Sequence, residues 1–498
     1  MSTDVNMVNV IGRPTRQLTW QLVVAMTACV LGCSFQFGYH TGVVNAPQEA
    51  IEGFLKTTYY ENYKKDLPES TKTFLWSVVV AIYAIGGMIG GFSTGWFTDR
   101  YGRKMTMLCN NALVMAGAGL MFGSKFFSSY QTLIVGRFVI GICCGISTAV
   151  APVYLSEIAP VSLRGAAGTL NQLAITVGVL VSQICGLNSM LGNSWGWNYL
   201  LGLTIVPAIC QVLILPMCPE SPRYLYITKN SHAQAREALV WLRGTTDVKE
   251  DIKEMEMEKT AAQSVSKAKI IDLLRSPSLR VPLMISVVMQ LSQQWSGINA
   301  VIFYSTKMFV NARLTDEQAQ YATLGTGVVN VVMTLISAFL VDRLGRRFLH
   351  LSGLGGMFLF SITLTLSLLW KDMWENMPAI SVLSVSLYIV AFALGPGAIP
   401  WFIVAELFAQ GPRQAAMSVA VLVNWLANFC VGIGFPALQE SLGEYSFVPF
   451  TVLLALFWVF TYHNVPETKN KKIEEITALF EKPMTGPKTA YQALPMEA

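Results

Sequence analysis

Charge is what this sequence has least of. Asp, Glu, Lys and Arg make up 13% of its 498 residues, about half the ~25% usual in a soluble domain. So few charges cannot cover the surface of a water-soluble protein of this length. No Asn-x-Ser/Thr triplet occurs, so N-glycosylation is not expected. No phosphate-binding loop occurs either, which disfavours an ATP-driven pump. The nine cysteines lie in or beside apolar runs, and none falls in the polar stretch at about 45–72. A disulfide framework or metal site would need clustered, wet thiols, so they read as small buried residues. No nucleophile–base or metal constellation is present, so neither an enzyme nor a cofactor is expected. The net charge of +5 is spread beside apolar runs and gives no reason to invoke nucleic acid.

What the chain has instead is hydrophobic length. Apolar runs of about 20 residues, enough to cross a ~30 Å hydrocarbon core, occur at 20–41, 74–97, 106–126, 130–152, 165–188, 199–217, 281–306, 321–341, 348–370, 379–403, 415–436 and 447–464. The expectation is an all-α membrane protein of twelve spans. The first 19 residues are polar and the first run is too long for a signal peptide core, so no cleavable leader is expected. Lys and Arg collect beside alternate helix ends: Arg13 and Arg16; Arg100, Arg103 and Lys104; Arg164; Arg343, Arg346 and Arg347; Arg413. The positive-inside rule places these ends, and both termini, in the cytoplasm.

Three features recur in one order. "DRYGRK" begins at Asp99 and "DRLGRR" at Asp342; a Glu stands seven residues before an Arg at Glu157 and Arg164, then at Glu406 and Arg413; "PES" begins at Pro219 and "PET" at Pro466. The offsets are 243, 249 and 247 residues. Two similar six-helix halves are expected, at 1–217 and 281–464, joined by a cytoplasmic helical linker at 218–280 and followed by a tail at 465–498. Topogenic anchoring needs only the positive members of these repeats. The accompanying Asp and Glu suggest a conformational latch of Asp99, Arg100, Arg103, Glu157, Arg164, Asp342, Arg343, Arg346, Glu406 and Arg413 that ties the halves together on one face. The plainer alternative is scattered surface ion pairs worth ~0–1 kcal/mol each. Parallel halves with a site between them suit alternating access. In the linker, "HAQAREALVWLR" (232–243) places its apolar residues on a helical stripe.

Polar residues within the bilayer are costly and are functional candidates by default. Here they are mostly amides. Gln172 and Gln183 are three helical turns apart; Gln290, Gln293 and Gln294 cluster on the seventh run, with Asn299 beyond; Asn330 shares a stripe with Thr323, Thr326 and Thr334; Asn424 and Asn428 flank Trp425; and Trp401 follows "GPGAIP" (395–400), which should break the tenth helix. An amide donates and accepts at once, as a hydroxyl does, so such a group suits a neutral polyol, with Trp401 offering a flat face to a sugar ring. The alternative is that the amides glue helices together.

"GRFVIGICCGI" (136–146), "PESPRYL" (219–225), "QLSQQWSGINA" (290–300), "GPGAIPWFIVAELF" (395–408) and "NWLANF" (424–429) resemble the facilitative glucose transporters, sugar porters of the major facilitator superfamily. The resemblance runs from about Gln17 to Lys469. It implies a twelve-helix uniporter for hexoses, most simply glucose, at the plasma membrane, with a monomer sufficient for transport. It also implies sugar binding by Gln172, Gln293, Gln294, Asn299, Asn330, Trp401 and Asn428. Gln183, Gln290, Asn424, Trp425 and His40 are further candidates for the pocket on the residues themselves. In the family, "QLS" at 290–292 accompanies glucose rather than fructose preference. The chain departs from the family pattern at Ala393, where many members carry a sugar-contacting Glu, and at Trp295 and Phe303 near the outer gate. His40 stands where uniporters often have Asn and proton-coupled relatives Asp. A proton–sugar symporter and a non-transporting sugar sensor are the competing readings. Sensors usually carry long tails, whereas this chain ends in the short, plain "KTAYQALPMEA".

Overall fold

The computed structural model describes residues 18–264, 268–469, 471 and 473–481. Arg13, Arg16 and the final residues of the tail lie outside this set, as do the side chains of Asp342 and Gln410. The described residues are helical throughout their regular structure. Each of the expected apolar runs is a helix or a pair of stacked helices. The first span is Trp20–Gly32 with Ser34–Gly42, the second Glu69–Tyr101, the third Arg103–Gly123, the fourth Tyr130–Ile158, the fifth Arg164–Cys185 and the sixth Trp197–Gly202 with Ile205–Ile214. After the linker come Pro277–Gln294 with Ile298–Asn311, then Asp316–Leu344, Arg346–Leu369, Met377–Leu394 with Ile399–Leu407, Gln410–Leu442 and Val448–Asn464, spans seven to twelve.

Ten of these are long and apolar enough to cross a bilayer on composition alone, and the twelfth is a shorter apolar helix. The seventh is broken at Trp295–Gly297 and carries three glutamines, which explains its weaker hydropathy. The linker forms the helices His232–Arg243, Lys249–Ser264 and Ile270–Arg275. As the stripe in 232–243 predicts, Ala235, Ala238, Leu239 and Leu242 are its buried residues. The tail holds a helix that the sequence did not signal, Ile473–Glu481, whose Ile476 belongs to one apolar cluster with Leu273, Ile399 and Ile403. The linker defines one face of the protein; the helix Gln48–Tyr63 lies on the opposite face.

The duplicated motifs meet at corresponding places in the two halves. Gly102 and Gly345, the glycines of the two hexapeptides, turn the chain between spans at φ of 90° and 91°, a conformation that L side chains rarely adopt. A Cβ at either would overlap Glu220 or Glu467, the acids of "PES" and "PET". Each acid caps the helix that follows its glycine. Glu220 accepts from the backbone N–H groups of Arg103 (3.0 Å) and Lys104 (3.0 Å); Glu467 accepts from those of Arg346 (3.0 Å) and Arg347 (3.1 Å). A carboxylate satisfies the free N–H groups at a helix start and complements the helix dipole there. Burial nevertheless pushes the Glu220 carboxyl above its ordinary value, against the lowering effect of these bonds and of Arg103.

The arginines complete the pattern. Arg103 grips Glu157 through two contacts of 2.9 Å, and Arg346 Nε lies 3.3 Å from Glu406. The expected ties between halves are not what these charges form. Arg164 reaches Glu254 of the linker at 2.7 Å, Arg413 Nε donates to the Phe408 carbonyl at 3.1 Å, and Asp99, Arg100 and Arg343 stand exposed. On the linker face, no ion pair between described residues joins the halves.

The halves are joined on the opposite face instead. Asn45, just past the first span, donates to the Ile302 carbonyl and to Ser305 Oγ, both at 2.7 Å, and accepts from the Thr306 N–H at 3.2 Å. Thr323 adds bonds to Ser305 (3.2 Å) and Thr306 (3.0 Å) within the C-terminal half, while the Asn188 N–H donates to Gln320 at 2.9 Å. Phe303 and Tyr304 are fully buried beneath this seam, Tyr304 stacked on Phe435 with ring centroids 5.4 Å apart.

Candidate functional site

The site begins at the break in the seventh span. Gly297 has φ of 93°, and a Cβ there would stand 2.9 Å from the Phe450 ring and 3.1 Å from the Tyr388 hydroxyl, so only glycine makes this corner. Tyr388 OH donates to the carbonyl of Ser296 within the break. One helix therefore ends with Gln290, Gln293 and Gln294, and a second starts with Asn299 in its first turn. All four amides are buried.

They bond chiefly to each other and to the eleventh span. Gln294 Nε2 donates to Asn424 Oδ1 (3.0 Å) and to Gln293 Oε1 (3.2 Å); its Oε1 accepts from Asn299 and, at 3.4 Å, from Asn428. Asn424 Nδ2 donates to Gln290 and Gln293, both at 2.7 Å. Gln293 Nε2 donates to the carbonyls of Pro396 (3.0 Å) and Gly397 (2.6 Å), which the break in the tenth span leaves without helical partners. Gln290 Nε2 reaches the Pro400 carbonyl at 3.3 Å, one residue before Trp401. The result is an uncharged, mutually satisfied ring of donors and acceptors. A polyol could enter it by exchanging amide–amide bonds for amide–hydroxyl bonds, leaving no charge unpaired.

The other expected residues lie elsewhere around this centre. Gln172 and Asn330 are half-buried on spans five and eight, and their side chains make no bond to the ring among the described residues. Trp401 is half-buried in the tenth span. Gln183 is buried with its Oε1 unpartnered, resting against Gly327 of the eighth span. That places it in the contact between halves. Trp425 also joins the halves: it packs edge-on to Phe37 (5.8 Å) and Tyr83 (5.7 Å) over Gly87. His40 is fully buried, its Nε2 2.9 Å from Thr204 Oγ1, which in turn donates to Gln36 at 2.5 Å. Beside it, Arg137 is completely enclosed. It donates to the carbonyls of His40 and Val79 at 3.2 Å and lies 4.8 Å above the Tyr83 ring, with no carboxylate among its partners. Sequence reasoning passed over Arg137, although an arginine within an apolar run was a visible signal. It also passed over Asn45, whose place at the end of the first run gave none.

The chemistry of the ring and the paired halves is matched by the comparisons. A model of the family described as "Sugar (and other) transporter" matches residues 24–480. The "Solute carrier family 2, facilitated glucose transporter member 3" of Ovis aries is 49% identical over 467 residues, 94% of each chain. The protein of that name from Rattus norvegicus is 50% identical over 468 residues, again 94% of each. Member 1 from Gallus gallus is 48% identical over 93% of this chain and 94% of its own. Among solved structures, the inward-open conformation of the xylose transporter XylE from E. coli superimposes with a TM-score of 0.76 at 26% identity, covering 92% of this chain and 100% of that one. A helical frame of two corresponding halves, an amide ring at a broken helix and this breadth of similarity converge on one conclusion: the chain belongs to the sugar transporter family and has the fold of the major facilitator superfamily.

Proposed function

We propose that this protein is a facilitative uniporter for hexoses, with glucose its principal substrate, working by alternating access at the plasma membrane. The carrying observation is the amide ring at the seventh-span break, which holds six hydrogen-bonding side chains and no charged one. A sugar acid, amino acid or phosphate would call for a fixed counter-charge; a neutral hexose asks for paired donors and acceptors. Gln293, Gln294, Asn299 and Asn428 would bind the sugar, with Gln290 and Asn424 orienting them, and Gln172, Asn330 and Trp401 closing in from the surrounding spans. The halves move as units with bounds near 1–217 and 281–464, the linker face and both ends of the chain being cytoplasmic. A monomer contains the whole path.

Alternating access then assigns a role to the unequal seams. With the opposite face bonded through Asn45 and no ion pair between described residues tying the halves on the linker face, the arrangement corresponds to an inward-facing state. The charge clusters would pair across the halves when that face closes. Proton coupling finds little support around His40, whose side chain partners Thr204 and no carboxylate among the described residues.

The test is uptake by purified protein in liposomes, varying glucose, fructose and a pH gradient independently. Glucose should equilibrate and not accumulate, with or without an inward proton gradient. Accumulation driven by the gradient, or failure to move any hexose, would overturn the proposal.

A further inference from the structure

Behind the amide ring, on the side away from the N-terminal half, a histidine is buried with one ring nitrogen engaged. His350, in the ninth span, is 0% exposed, and its Nε2 lies 3.2 Å from Ser292 Oγ. Ser292 immediately precedes Gln293 and Gln294. The Ser292 hydroxyl also lies 2.7 Å from the Met289 carbonyl of its own helix, so one side chain links the seventh-span backbone to the ring. Nδ1 has no partner among the described residues, so the contact with Ser292 is the ring's one polar tie.

The surroundings are rigid. At Gly353 and Gly395, the ninth span and the break of the tenth lie so close that a Cβ on either would overlap atoms of the other. The same break supplies the Pro396 and Gly397 carbonyls that Gln293 grips. The seventh span is thus held from two directions: by Gln293 to the tenth-span break, and by Ser292 to the ninth span on which that break is packed.

We propose that His350 is a positioning residue for sugar binding, which sets the rotation of the seventh span through Ser292 and so aims Gln293 and Gln294 into the site. This inference rests on the proposed role of those glutamines. Removing one such bond should rotate donors out of place and weaken sugar binding about three- to tenfold, the span of one net hydrogen bond. Conformational exchange of the halves, which these residues do not join, is left alone.

The experiment is equilibrium-exchange glucose uptake in liposomes by His350→Leu, His350→Gln, Ser292→Ala, the double variant His350→Leu/Ser292→Ala, and Gln294→Leu. We expect a half-saturating glucose concentration raised three- to tenfold in His350→Leu and in Ser292→Ala, with maximal exchange within twofold of the parent. Gln at 350, which can place a donor near the Nε2 position, should restore most of the loss. The double variant should be no worse than the stronger single one, because both remove the same bond. Should His350→Leu not fold, Ser292→Ala and His350→Gln carry the test. An unchanged half-saturation in Ser292→Ala, or fully additive losses in the double variant, overturns the proposal. If Gln294→Leu itself leaves half-saturation unchanged, the site assignment fails instead, which separates the two.

Discussion

Replacing Asn45 with Ala should tip the protein toward its outward-open state. Asn45 makes three bonds to the seventh span across the seam on the opposite face, at 2.7, 2.7 and 3.2 Å, and all of them must break when that face opens. Water takes up the exposed partners, so each bond counts only its net value of ~0.5–1 kcal/mol. Together they favour the sealed state by about 1.5–3 kcal/mol. Since ~1.4 kcal/mol is a tenfold change, the inward-to-outward ratio should fall roughly ten- to a hundredfold. The Ser305–Thr323 and Thr306–Thr323 bonds lie within the C-terminal half and do not compensate. Spin labels at Ser194 and Glu375, exposed on opposite halves of that face, would report the change as a second, longer distance population in pulsed electron resonance. The background would have the exposed Cys109 and Cys430 replaced. A distance distribution identical to the parent's, in protein that still binds glucose, would refute the claim that Asn45 holds the seam.

Three further outcomes follow from the geometry. Gln294→Leu deletes a donor and the acceptor shared by Asn299 and Asn428, and at ~1–3 kcal/mol for a buried polar group left unpaired it should weaken glucose binding about tenfold or more in a direct binding assay; near-normal affinity would sink the assignment. Glu220 is raised by burial, so the native state holds its proton more tightly than the unfolded chain; its contribution is full below the unfolded value and is lost as pH rises through the folded one. The melting temperature of the parent should therefore fall relative to that of Glu220→Gln as pH is raised from 4 to 7, and parallel curves would count against it. His40→Asn keeps a neutral donor and acceptor beside Thr204, so glucose should equilibrate as in the parent under an inward proton gradient; accumulation in the parent that vanishes in the variant would mean that His40 couples protons.

Hydrophobic run length was enough to locate every span, because bilayer thickness imposes a length that nothing in tertiary packing alters. Broken helices were half legible. "GPGAIP" announces the interruption of the tenth span, whereas the seventh breaks at a single positive-φ glycine, Gly297, that no neighbouring proline marks. The cysteines read as buried, and Cys29, Cys33, Cys143, Cys144 and Cys218 are; Cys109 and Cys430 are exposed on the surface of apolar spans. The amides of spans seven and eleven converge as their spacing implied. That Trp425 and Gln183 would serve contacts between halves was not legible, since a residue on a polar stripe can face either a cavity or a neighbouring helix.

The repeated charges show where reading from sequence stops. Repetition at a near-constant offset identified the acids and arginines, but it could not say which of them pair in this state. Glu157 pairs with Arg103, because the turn at Gly102 brings the start of the third span beneath the end of the fourth. The acids of "PES" and "PET" had no assigned role, though they cap the very helices that the hexapeptides begin. The Arg103–Glu157 and Arg346–Glu406 pairs persist whichever way the halves rock, because both members of each ride on one half. Arg164 is different: its partner, Glu254 at 2.7 Å, sits on the linker and not on the N-terminal half. A charge able to exchange one partner for another near in energy is what a two-state carrier requires, since only a contact present in one state and absent from the other can bias the balance. The position of such a charge is written along the chain, but its partner is a property of the conformation.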